Sequence, residues 1–193
     1  MRALLLLATA AAPLAAQPAA KLPPVAEQVA AATLPLTPDL RAGALVMGYR
    51  EPGKLVVLRE GRNGMHCLAL YVTRPDFHVA CYHESLEPFM ARGRELRAQG
   101  ITAGTKVDSV RFAEIKAGKL AMPVQGSLHT ITAKREHFNA ATNTVQEAGL
   151  LTVLYIPGAT AKSIGITETP QESGPWIMFP GTPKAHVMMA GKM

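Results

Sequence analysis

No apolar run in this sequence is long enough to cross a membrane. Residues 3–14 fall short of the roughly 20 residues a spanning helix needs, and the later runs, 150–156 and 176–179, have strand length. Aromatic residues make up only 5 % of the chain and do not alternate with basic ones, which excludes the stacking platforms of single-strand nucleic-acid binders. A concentrated charge is missing too. The net charge of +6 is spread along the chain, with only Arg92, Arg94 and Arg97 bunched, so it gives mild attraction to anionic surfaces and specifies no nucleic acid. The short catalytic signatures are also absent: there is no Gly-x-Ser-x-Gly elbow, phosphate-binding loop, dinucleotide fingerprint or His-Glu-x-x-His.

What is present begins with a leader. Arg2, the apolar residues 3–14 and the small residues Ala15, Ala16, Ala19 and Ala20 have the layout of a secretory signal peptide. Cleavage is expected after Ala16, with Ala20 as the alternative. The expected location is therefore periplasmic or extracellular, in a form that does not span a membrane. Residues 17–43 form an Ala- and Pro-rich lead-in with a short helix at 25–32, and residues 44–193 suit a single domain.

The chain has two cysteines, and an exported pair is expected to be bonded because its destination is oxidising. Residues 65–72 and 77–82 read as strands, and Thr73-Arg74-Pro75-Asp76 has turn chemistry. With Arg74 at the centre of that turn, residues whose numbers sum to 148 face each other, and 67 + 81 = 148. Cys67 and Cys81 are therefore expected to form a disulfide across one hairpin. The competing reading is zinc, because His66 and His83 flank the cysteines and His78 lies on the second strand. Strand alternation counts against it: Met65, Cys67, Val79, Cys81 and His83 share one face, and His66 and His78 share the other.

Strands are further expected at 44–49, 54–58, 127–133, 150–156, 176–179 and 185–189, with helices at 85–99 and 106–117. Thr105 and Asp108 look like a capping box for the second helix. Strands, two central helices and strands again imply an α+β domain, an antiparallel sheet with both helices on one face.

Candidate chemistry is sparse. Glu84 and Glu87 could act as paired carboxylates, but acids near a helix start are ordinary dipole partners, and Ser85 reads as a cap. His83 and Glu84 are the pair around which a pocket would form. Met178, His186 and Met188 pair soft thioethers with an imidazole, the ligand set Cu(I) prefers; the alternative is core filler. No cofactor other than copper or zinc is indicated.

The run from Glu60 to Cys67, the segment Tyr82 to Arg92 after the second cysteine, and the closing Gly174-Pro175-Trp176 with His186-Val187-Met188 resemble a group of uncharacterised exported bacterial proteins. That resemblance implies one exported domain and supplies no catalytic residues. The leading expectation is a non-catalytic domain that binds a small ligand or an envelope partner. A metal-binding protein and a hydrolase with a site assembled from distant residues are the alternatives.

Overall fold

Residues 21–192 are described by the computed structural model of this chain, so the leader assigned to residues 1–16, or 1–20, lies outside the described residues. Helices α1 (Val25–Ala32) and α2 (Pro38–Arg41) come first, then strands β1 (Leu45–Glu51), β2 (Lys54–Arg59), β3 (Met65–Leu68) and β4 (Phe77–His83). Helices α3 (Glu87–Ala98) and α4 (Gly104–Lys116) follow, then β5 (Gly126–Ala133), the short β6 (Phe138–Asn139) and β7 (Thr144–Val145), and β8 (Gly149–Tyr155). Helix α5 (Ala161–Ile164) precedes β9 (Pro175–Met178) and β10 (His186–Lys192). Eight strands form one sheet in the order β2-β1-β3-β4-β5-β8-β10-β9, and β6 and β7 pair separately. The class is α+β, as expected.

One step in the sheet departs from the expected antiparallel run: β1 and β3 are parallel. The cause lies in residues 60–64, which cross the start of β1 and deliver β3 to its far side. There the Arg62 and Asn63 N–H groups both donate to the Gly43 carbonyl, at 2.7 and 3.3 Å, and the Asn63 amide donates to the Leu40 carbonyl at 2.7 Å. A side chain at Gly61 would place its Cβ 2.3 Å from the Leu45 nitrogen, so the crossing requires glycine. The Asn63-Gly64 pair is thus part of a crossover and not a hairpin turn.

Cys67 and Cys81 are disulfide-bonded, directly opposed in the β3–β4 register, with Cα atoms 4.0 Å apart. Strand β3 ends earlier than the expected residue 72. After Leu68 the chain enters a 3₁₀ turn, Leu70–Thr73, so the connection occupies residues 69–76 while the register is kept.

The sheet is covered on both sides. Cys67, Cys81, Val79, Phe77, Val46 and Ile131 pack beneath Ala31 and Ala32 of α1. The described part of the lead-in, set apart from the domain in the sequence reading, is therefore integral to its core. On the opposite face Leu68, Tyr82, Val153 and Tyr155 pack against Leu86 and Phe89, with Phe112 and Ile115 of α4 around them. The two central helices share that face, and the Arg111 guanidinium lies 3.6 Å from the centre of the Phe89 ring. The Thr105–Asp108 capping box is not formed: α4 starts at Gly104 without a side-chain cap. Asp108 instead pairs with Arg111 and, at 2.9 Å, with Lys184, tying α4 to the segment before β10.

Candidate functional site

Helix α3 does not cover the whole of β4 and β5. Beside it lies a groove of about 500 Å³, within the range of roughly 300–1,000 Å³ typical of small-ligand sites. Its apolar surface comes from Leu68, Leu70, Ala80, Leu128 and Met90, and Arg74, Arg94 and Arg97 stand around it. The sheet residues belong to the face opposite the cystine, because strand alternation sends His66, Leu68, His78, Ala80 and Tyr82 to the α3 side.

Two of the three arginines are already neutralised. Arg74 makes a two-pronged contact with Asp76, at 2.9 and 3.0 Å. Arg94 donates to Glu87 at 2.5 Å and to the Tyr82 hydroxyl at 2.9 Å, and Tyr82 in turn donates to Glu87. Arg97 donates only to the Gly93 carbonyl, at 2.9 Å, and has no carboxylate partner among the described residues. The groove therefore holds one uncompensated positive charge next to an apolar surface.

The ionisation of the lining follows from this. Burial pushes the Tyr82 phenol above its ordinary value, opposed by Arg94 and supported by Glu87, so it stays a neutral hydroxyl. Burial, then the Arg74 charge, lowers His78, with Asp76 opposing. Its ring is neutral near pH 7, and its Nδ1 shares a 2.8 Å hydrogen bond with Thr132.

A smaller cavity of about 270 Å³ lies beyond this network, bounded by Gly61, Arg62, Gly64, His66 and Glu84. Glu87 sits between the two cavities, its Oε2 3.5 Å from the buried His66 Nδ1, which makes no hydrogen bond among the described residues. His83 lines a third, more open cavity with Ser85, Gln125 and Ser127.

The residues singled out from sequence are thus separated. His83 and Glu84, expected around one pocket, line different cavities. His83 caps the turn at Glu84–Leu86 by accepting the Ser85 N–H at 3.3 Å, so the capping side chain is the histidine and not Ser85. Both cysteines are held in the disulfide, which removes the thiolates a Cys₂His₂ zinc site needs. No group of three or more His, Cys, Asp or Glu side chains is placed to hold a metal ion among the described residues. Met178 and His186 are directly opposed across β9 and β10, and Met188 lies two residues along β10 on the same face.

The groove is hidden in the sequence because Arg92, Arg94 and Arg97, bunched along the chain, part company in the fold. Arg92 reaches α4 through Glu114 at 2.6 Å, and the other two face the groove. The readable signal was Met90, Arg94 and Arg97 at i, i+4 and i+7, which share one stripe of a helix.

No family model, no curated protein and no solved structure matches this chain.

Proposed function

We propose that this chain is an exported binding domain that holds a small, monoanionic ligand with an apolar body in the groove between α3 and the sheet. The observation that carries this reading is Arg97, a cation without a carboxylate partner among the described residues, beside an apolar surface of Leu68, Leu70, Leu128 and Met90. Arg74 and Arg94 are each matched by an acid, so one further negative charge completes the balance. A carboxylate meets the guanidinium geometry in two-pronged fashion, and the apolar body takes up the space beneath. Export is supported by the leader in the sequence, by the Cys67–Cys81 disulfide and by the resemblance to exported bacterial proteins.

Titration calorimetry with decanoate tests the reading, with decanol as the uncharged control. Decanoate is expected to bind one site per chain and decanol at least tenfold more weakly. Arg97→Ala is expected to lose about ten- to a hundredfold in decanoate affinity, the range of a charge-assisted hydrogen bond of roughly 1.5–3 kcal/mol. Equal binding of decanoate and decanol would overturn the assignment of the headgroup. No binding of either would remove the ligand class.

A further inference from the structure

The last two strands carry a cluster that the groove does not use. In the β9–β10 register Met178 is opposite His186 and Trp176 is opposite Met188, so all four side chains project from the same face of the sheet. Opposed residues of an antiparallel pair have Cβ atoms about 5 Å apart, and diagonal or second-neighbour residues on one face about 7 Å. Side chains as long as histidine and methionine can reach one another from those positions. His186 is buried and donates from Nδ1 to the Lys184 carbonyl at 2.6 Å, which leaves Nε2 as the ring's lone-pair nitrogen. Met178 is exposed on the edge strand, which opens the cluster to solvent. The neighbouring Lys184 ammonium is held by Asp108 at 2.9 Å, a carboxylate it shares with Arg111.

We propose that Met178, His186 and Met188 form a site for a soft monovalent metal ion, Cu(I). Two thioethers and one imidazole are neutral, polarisable ligands, which suit Cu(I); magnesium and calcium seek oxygen donors, and zinc seeks a set of thiolates, imidazoles or carboxylates, of which this cluster offers one imidazole. The site depends on neither the groove nor its ligand.

The chain contains a single tryptophan, Trp176, and it lies opposite Met188, so its emission reports on this site alone. The test is Cu(I) binding by the purified protein in competition with bicinchoninate, without oxygen and with ascorbate as reductant, so that no thiol opens the cystine. One equivalent of Cu(I) is expected to leave the chelator, with a matching change in Trp176 emission. Met178→Leu and Met188→Leu are each expected to weaken binding at least tenfold, and the double variant to abolish it, with the thermal midpoint little changed. Met189→Leu is the control, because Met189 is exposed on the opposite face of β10, and it is expected to bind as the parent does. Failure to withdraw Cu(I) would overturn the proposal. So would parental affinity in the Met178/Met188 double variant, or equal losses in the Met188 and Met189 variants.

Discussion

The two faces of the β3–β4 hairpin come from alternate residues of the same strands, and their characters are opposite. Toward α1 point Cys67, Cys81, Val79 and Phe77, each with no exposed surface, joined by the cystine and sealed by Ala31 and Ala32. Toward α3 point His66, Leu68, His78, Ala80 and Tyr82, which border open space and hold the hairpin's contacts with Glu87 and Arg94. A period of two lets one hairpin present a dry, covalently fixed layer and, one side chain away, a layer that keeps room and charge. Changes on the cystine face should therefore act on stability and leave groove affinity alone, and changes to the groove-lining side chains of the α3 face should act on affinity.

The sharpest way to break that contrast is to remove the cystine. Cys67→Ala with Cys81→Ala is expected to lower unfolding stability by about 3 kcal/mol, the chain-entropy value for a loop of this length. The urea midpoint reads the loss. Decanoate affinity, measured well below that midpoint, is expected to stay within twofold of the parent. A parallel loss of affinity would show that the cystine also shapes the groove.

A smaller loss of stability is expected at Gln28, which is fully buried in α1. Pairing of β1 with β3 ends at Met47 and Leu68, so the outward backbone of Tyr49 has no strand beside it. The Gln28 amide takes that place: it accepts from the Tyr49 N–H at 2.8 Å and donates to the Tyr49 carbonyl at 2.9 Å. Gly48 makes the approach feasible, since a Cβ there would lie 2.5 Å from the Gln28 oxygen. Gln28→Ala takes the side-chain partner from three backbone groups, the Tyr49 N–H and carbonyl and the Pro23 carbonyl, and is expected to cost about 2 kcal/mol in denaturant unfolding, again without changing decanoate affinity.

How much of this was legible in the sequence depended on distance along the chain. The cystine register was readable because residues 65–83 fold on themselves, and it survived even though β3 stopped four residues early. The helices and most strands were placed to within a few residues for the same local reason. The parallel step at β1 and β3 was not legible, because it depends on Gly61 passing within contact of Leu45, a steric fact without a sequence period. The groove was illegible too. It gathers Arg74, Arg97 and Leu128 from three segments, and only the fold decides which arginine finds an acid. Asp108 shows the same limit: it looks like a cap locally, and its partners Arg111 and Lys184 lie one helical turn and 76 residues away.

The smallest expected effect, and the finest division between the faces, is in the response to acid. His78 on the groove face and His129 on the cystine face are both held below the ordinary histidine value of 6.5, His129 by burial and His78 by burial and then Arg74. For both, the unfolded chain binds protons more readily than the folded one, so the stability they contribute is present above pH 6.5 and is lost as pH falls through their lowered folded values. Thermal midpoints are expected to decline from pH 7 to pH 5, and His78→Gln and His129→Gln are each expected to flatten that decline. Binding should separate them. A carboxylate held by Arg97 adds negative charge to the groove that His78 lines, favouring the protonated ring, and by reciprocity protonation of His78 strengthens binding. Decanoate affinity is therefore expected to rise by less than about tenfold between pH 7 and pH 5.5. His78→Gln should remove the rise and His129→Gln should leave it intact. A rise that persists in His78→Gln would assign the proton to another group.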